Sequence, residues 1–400
     1  MTSFQGYLRS DGRKGIRNTI VVAYLVECAH FVAQRIVAGF EGEDVQLIGF
    51  PGCFPNDYAA QMMDRLCTHP NVGAVLFVSL GCESFDKVRA SNTVAATGRP
   101  VKTLVIQKSG GTQSTVAAGR TWVREAMSRI AEVPRVPMQI GDLIIGTVCG
   151  GSDGTSGISG NPAAGRAFDL LIARGAACIF EETGELIGCE NIMADRAVTP
   201  ELGEELRRSV QKAERYYATL GYGSFAAGNA AGGLSTIEEK SLGAYVKSGE
   251  SPISGLIKPG DVPPSGGLYL MDVVPDGEVR FGFPNISDNA EIVEMIASGA
   301  HMTLFVTGRG SVVGSAISPV IKICANPDTY RALSDDMDVN AGDIIDGNRS
   351  IDQVGAEIFD LVVAVAGGAQ TKSEQLGHRE FILTYKSFDP IGPACLPAHA

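Results

Sequence analysis

Short apolar runs that end in glycine or cysteine loops and then give way to longer amphipathic segments recur along this chain. That alternation narrows the folds open to it. Residues 20–26, 45–50, 75–80 and 101–106 are rich in Val, Ile and Leu and read as buried strands, while 58–67 and 113–131 read as helices. Strand and helix in alternation imply a parallel sheet with crossover helices, an α/β fold of Rossmann-like type. A second unit opens at 143–148, runs through a glycine-rich stretch to a helix opening at Pro162, and continues with a helical pattern over 200–220. A further strand is expected at 301–307 and a helix at 351–366. Pro134 and Pro137 punctuate the join, so we expect one α/β unit over 1–135 and a second over 136–400. Within the second, 221–265 reads as a glycine-rich loop region and 390–400 as an extended tail.

The chain has 400 residues, 44% of them apolar, enough for two or three cores. Its formal net charge of −12 speaks against a general nucleic-acid surface. No apolar run approaches the roughly 20 residues of a membrane span, and the polar, basic start is unlike a signal peptide. The nine cysteines occur singly, without CxxC pairs, which fits a reduced, cytoplasmic setting. The 49 glycines concentrate at the ends of apolar runs, where backbone can approach a ligand.

Four cysteines follow expected strands: Cys28, Cys53, Cys82 and Cys149. In an open parallel sheet, loops at the carboxyl ends of strands form the binding crevice, so these four are expected on one rim. Thiolates there would suit iron, an iron–sulfur cluster or zinc; the alternative is that they are small buried hydrophobes. Glu83, beside Cys82, could bind a hard divalent ion or act as a base, or simply favour a helix N-terminus. The basic segment 7–18, with Arg17 and Asn18 abutting a strand, could attract a carboxylate through bidentate arginine contacts, or could be a solvated arm.

The stretch from Cys149 to Gly157 is the densest polar and glycine cluster, with Ser152, Asp153, Thr155 and Ser156 offering groups to a small anion. It lacks a Walker lysine and the GxGxxG spacing, as do Gly308, Gly310 and Gly314, which disfavours nucleotide binding. Glu181, Glu182 and Glu185 crowd together, a pattern that serves metal or general-base chemistry, or an acidic solvated turn. Lys240, after Glu238 and Glu239, is a candidate base or part of a surface helix start. No GxSxG nucleophile elbow is present.

Gly6-Tyr7, Asp11-Gly12-Arg13, Arg17-Asn18, His69-Pro70-Asn71 and Gly81-Cys82-Glu83 form one ordered set of motifs. Cys149-Gly150-Gly151-Ser152-Asp153, Asn161-Pro162, Glu182-Thr183, Ala231-Gly232-Gly233 and Lys240-Ser241-Leu242-Gly243 continue it, followed by Thr307-Gly308-Arg309-Gly310-Ser311, Asn340-Ala341-Gly342 and Thr371-Lys372-Ser373-Glu374. In these motifs the chain resembles the altronate and galactarate dehydratase family over most of its length. The resemblance implies β-elimination from a 2-hydroxy acid, with water leaving a sugar acid to give a 2-keto-3-deoxy acid, or sulfite leaving sulfolactate to give pyruvate. It also implies a divalent metal, Fe2+ or Mn2+ with Mg2+ as a further option, held near Cys53, Cys82, Glu83 and Cys149. Arg17 and Arg309 are then expected on the substrate carboxylate, Asn18, Ser152, Asp153 and Ser156 on its other polar groups, and Lys240, Glu182 or Glu83 in catalysis. Single-chain members carry an additional small SAF-type domain; here the matching region begins near Phe4, which implies a separate small subunit and a homo-oligomeric assembly. The remaining alternative is a non-catalytic binding or scaffold subunit.

Overall fold

The computed structural model describes residues 3–221, 224–278 and 287–386. The described residues form two compact units, one of 5–136, 275–278 and 381–386, the other of 3–4, 137–221, 224–274 and 287–380. The tail expected at 390–400 lies outside the described residues.

The smaller unit is built on a four-stranded parallel sheet in the order Val45–Gly49, Thr19–Tyr24, Val72–Ser79, Val101–Val105. Period-two alternation sends Ile20, Val22, Leu76 and Val78 to one face, where they meet Val32 and Ile36 of helix Glu27–Val37 and Trp122, Val123 and Ala126 of helix Thr112–Ile130. Val21, Ala23, Val75 and Phe77 are equally buried on the other face, which explains why these strands read as continuous apolar runs. Each such fully buried aliphatic side chain contributes about 1.5–3 kcal/mol relative to exposure. The basic segment is a folded hairpin rather than a solvated arm: Ser3–Leu8 pairs antiparallel with Lys14–Gly15. Arg9 there is buried, donating to Pro70 O at 2.6 Å, Asn18 Oδ1 at 2.7 Å and Arg17 O at 2.8 Å.

The larger unit carries a seven-stranded, wholly parallel sheet. Its order is Ile253–Ile257, Gly267–Met271, Ala177–Phe180, Ile144–Cys149, Met302–Thr307, Val320–Cys324, Val339–Asn340. The chain starts at the central strand Ile144–Cys149, adds strands on one side with the edge strand Ile253–Ile257 laid down before its inner neighbour Gly267–Met271, then restarts on the other side with Met302–Thr307. The switch point therefore lies between the carboxyl ends at Cys149 and Thr307, where open α/β sheets form their crevice. The two parallel sheets bear out the expected α/β architecture with crossover helices.

Helix Pro200–Leu220 shows why the sequence marks it so clearly. The Thr199 side chain accepts from Leu202 N, Pro200 takes the first turn, and Gly221 ends the helix at φ +81°. The region 221–265 is more ordered than its glycine content suggests. It holds helix Ile237–Tyr245, capped by Thr236, and the edge strand Ile253–Ile257. The helix is short and largely polar, and the strand is short and interrupted by Ser254 and Gly255, so neither shows the apolar pattern that marks the others. Among the described residues no helix is long and apolar enough to cross a membrane.

Candidate functional site

At the carboxyl ends of two neighbouring strands of the larger sheet, ionisable groups gather, most of them buried. Cys149 ends its strand; Glu181 and Glu182 follow strand Ala177–Phe180; Glu185 lies in the turn Thr183–Leu186. Lys240 reaches in from helix Ile237–Tyr245, Lys247 from the turn Val246–Ser248, and Asp288 and Glu291 from helix Asp288–Ala297. Cys149 Sγ lies 3.2 Å from an oxygen of Glu182 and 3.2 Å from one of Glu185, and Lys247 Nζ approaches the same sulfur at 3.4 Å. Lys247 is ion-paired with Glu182 and Lys240 with Glu185, and Cys149 N donates to Glu182 at 3.1 Å.

Glu182 is the one non-glycine among the described residues with a left-handed backbone, at φ +77°. Such a conformation costs about 1–3 kcal/mol and persists where the surroundings over-determine it. Here the hydrogen bond from Cys149 N and the ion pair with Lys247 hold the carboxylate inward.

The electrostatics follow from burial. Burial, then the nearby Glu185 carboxylate, pushes the Cys149 thiol up to about 12, so in this arrangement it is a neutral S–H donor. Burial and Glu185 likewise raise the Asp288 carboxyl to about 6. Burial opposes the charge on Lys240, yet Glu185 outweighs it and lifts the amine above its ordinary value. Glu181, fully buried among Glu291 and other acids, is pushed well above the usual carboxylate range.

A cavity of about 270 Å³ opens beside Lys240, lined among others by Ser152, Asp153, Ser156, Asn161 and Glu239. Its size is at the small end for ligand sites. Asp153 is fixed in its wall: Oδ1 accepts from Thr155 N at 2.8 Å and Oδ2 from Asn326 Nδ2 at 3.1 Å. Gly308 makes room for this carboxylate, because a Cβ at 308 would stand 2.0 Å from Asp153 Oδ1. Gly157 packs against the backbone of Gly243, where a Cβ would lie 2.7 Å from the Gly243 Cα.

The structure thus gathers Cys149, Glu182, Lys240, Ser152, Asp153 and Ser156 within the larger unit. Arg309, exposed in the loop after Thr307, belongs to that unit too; its backbone N donates to Gly151 O at 2.9 Å and its guanidinium to Gly228 O. Cys53, Cys82, Glu83, Arg17 and Asn18 belong to the smaller unit. The single rim expected for the four cysteines is therefore divided: Cys28, Cys53 and Cys82 follow strands of the four-stranded sheet and are exposed, whereas Cys149 ends a strand of the seven-stranded sheet and is buried. Similar apolar strands recur in both units, so strand-end position alone does not say which sheet a cysteine serves. Glu83 is buried; burial opposes its ionisation, but Ser79 Oγ and Gly81 N, the latter at 2.8 Å, donate to it and hold the carboxyl below its usual range. Asn18 is engaged internally by Arg9 and by Ile130 O at 2.9 Å, and Arg17 is half-buried. Sequence reasoning missed Lys247, Asp288 and Glu291. Lys247 sits in a stretch read as loop, and the acids of helix Asp288–Ala297 look like an ordinary solvated face.

Cys149, Glu182 and Glu185 each offer a ligand atom, these atoms lie within 4.8 Å of one another, and all three residues are buried. A thiol and two carboxylates in that arrangement could hold a metal ion. A small cavity at the switch point of a parallel sheet, walled by hydroxyls and backed by buried acid–amine pairs, defines an α/β protein equipped for proton transfer on a small polar ligand. Residues 140–388 match the D-galactarate/altronate dehydratase C-terminal region, and residues 6–131 match the second domain of D-galactarate dehydratase/altronate hydrolase. The chain belongs to the D-galactarate/altronate dehydratase family. It is 32% identical to the (2R)-sulfolactate sulfo-lyase subunit beta of Chromohalobacter salexigens, over 96% of this chain and 97% of the relative. It is 29% identical to altronate dehydratase of Bacillus subtilis (95% and 77%) and 30% identical to galactarate dehydratase (L-threo-forming) of Escherichia coli (94% and 75%).

Proposed function

We propose that this protein is a lyase that eliminates a β-substituent from a small 2-hydroxy acid, with dehydration of a sugar acid to a 2-keto-3-deoxy acid as its reaction. The observation that carries the reading is Lys240, which lines the cavity with Ser152, Asp153 and Ser156 and is paired behind it with Glu185. Relatives named as sugar-acid dehydratases support the reaction class. Departure of sulfite from sulfolactate is the second reading, favoured by the 32% identity to the sulfo-lyase subunit. That relative is named as a subunit, which supports a partner chain for this one as well.

Elimination begins with loss of a very weakly acidic proton beside a carboxylate. Lys240 is the base in this proposal. It is charged in the resting arrangement because Glu185 faces it; once Glu185 is engaged elsewhere, its largest counter-charge is gone and burial, the strongest influence on the amine, favours the neutral, basic form against the weaker pull of Cys149 and Asp288. Ser152, Asp153 and Ser156 orient the substrate hydroxyls, and Arg309 receives its carboxylate. Cys149, Glu182 and Glu185 would hold a divalent metal, Fe2+ or Mn2+, whose Lewis acidity stabilises negative charge developing on the substrate.

The protein, purified with whatever chains accompany it, is to be given altronate, galactarate and (2R)-sulfolactate, with 2-keto-3-deoxy acid and sulfite measured. Lys240→Ala is expected to lower kcat by about 10²–10⁴-fold and to abolish exchange of the substrate α-proton with deuterated solvent. Unchanged exchange in that variant would remove Lys240 from the role of base, and absence of both products would remove the lyase reading.

A further inference from the structure

The turn that carries Lys247 is gripped by a single side chain from outside the site. Lys247 is fully buried; its Nζ is ion-paired with Glu182 and lies 3.4 Å from Cys149 Sγ. It sits between the end of helix Ile237–Tyr245, which carries Lys240, and the edge strand Ile253–Ile257. The Arg196 guanidinium donates to Tyr245 Oη at 2.7 Å, Ser248 Oγ at 3.0 Å, Ser248 O at 3.4 Å and Ser251 O at 2.7 Å, so it spans residues on both sides of Lys247. All four acceptors are neutral oxygens. What the arginine supplies to them is its rigid fork of donors, a geometry that lysine does not reproduce.

Arg196 is itself fixed, since its backbone O accepts from Ile253 N at 2.8 Å and its N donates to Met193 O at 3.0 Å. The course of the turn is secured independently. Asp169 accepts from Glu250 N at 3.0 Å and from Ser251 N at 2.9 Å, and the turn lies directly on helix Gly160–Ile172, where a Cβ at Gly165 would stand 2.7 Å from Gly249 N. Loss of the guanidinium therefore loosens Lys247 more than it redirects the chain. We propose that Arg196 is a positioning residue of the site, acting through the turn Val246–Ser248 to hold the Lys247 amine against Glu182 and Cys149. The cavity groups Ser152, Asp153 and Ser156 come from a different segment, so the effect on turnover falls on kcat rather than KM. That kinetic consequence rests on the lyase reading; the placement of Lys247 does not.

Full-length protein isotope-labelled at lysine nitrogen reports the Lys247 ammonium by NMR, its signal identified by its absence in the double variant Lys247→Met, Glu182→Gln. Arg196→Ala is expected to shift or broaden that signal and to lower kcat by about 10²-fold, with KM changed by less than about twofold. Arg196 lines an open cavity of about 750 Å³, so guanidinium ion added to Arg196→Ala is expected to restore both the signal and kcat in a saturable way. Arg196→Lys, which keeps the stem and the charge, is expected to show both losses in smaller measure and serves if the alanine variant fails to fold. An unmoved Lys247 signal in the folded variants would overturn the proposal, and so would wild-type kcat where the signal has moved, or a raised KM at unchanged kcat. If the wild type forms neither product while the Lys247 signal moves and guanidinium restores it, the lyase reading falls and the positioning of Lys247 by Arg196 stands.

Discussion

Replacing Lys247 with methionine removes a fully buried ammonium while keeping most of its stem volume. The immediate consequence falls on Glu182, which is 5% exposed and loses its ion-pair partner, and on Cys149, which loses a donor at 3.4 Å. Stranding one member of a buried ion pair costs about 3–5 kcal/mol, whereas a volume-conserving change of the stem adds less than about 1.5 kcal/mol. For a unit the size of the larger one, formed mainly by 137–221, 224–274 and 287–380, each kcal/mol lowers Tm by about 2–4 °C. The larger unit's calorimetric transition should therefore fall by about 6–20 °C. The double variant Lys247→Met, Glu182→Gln carries no stranded charge and should recover most of that loss. A drop of less than about 3 °C in the single variant, or no recovery in the double, would show that the pair does not hold this region together.

Gly308→Ala should push Asp153 out of the cavity wall, lowering stability by about 1–3 kcal/mol along with turnover; a wild-type melting curve would contradict the close approach at this glycine. Acid sensitivity offers a separate test in the smaller unit. Burial opposes the Asp11 charge, but hydrogen bonds from Arg13 and Arg99 hold its carboxyl down at about 2. Because the folded value is depressed, the stabilisation is present above the unfolded carboxylate range and is lost as pH falls from about 4 towards 2. The pair with Arg13 is solvent-accessible, so the effect is about 1 kcal/mol. Asp11→Asn should lack this part of the acid-induced loss, and superimposable acid unfolding curves for the two proteins would dismiss it.

The fold was legible where burial on both faces writes itself as continuous apolar runs, as in Thr19–Tyr24 and in the Val75-Leu76-Phe77-Val78 run of Val72–Ser79. It was illegible at Ile253–Ile257, an edge strand with glycine and serine within it, because half-buried edges carry no such run. Residues of the site that announce themselves by type, such as Cys149, Glu182, Lys240 and Asp153, were visible as candidates. Which of them share a space depended on strand order, and a parallel sheet built outward from its middle strand does not display that order in the chain. Lys247 and Glu291 escaped notice for a different reason. A charged residue in sequence reads as solvated, and only packing shows that these are sealed in.

The left-handed backbone at Glu182 bears on how this protein would respond to selection for heat resistance. Glycine or asparagine at that position would relax the strained turn but, alone, would strand the buried Lys247 ammonium at a greater cost; paired with an apolar residue at 247 it would remove both, and a screen that scores only folded protein would favour that pair of changes. It would do so by discarding the carboxylate that Cys149 and Lys247 hold in place. Position 182 is where robustness and chemistry compete for the same amino acid, and libraries aimed at a hardier enzyme do well to leave it fixed.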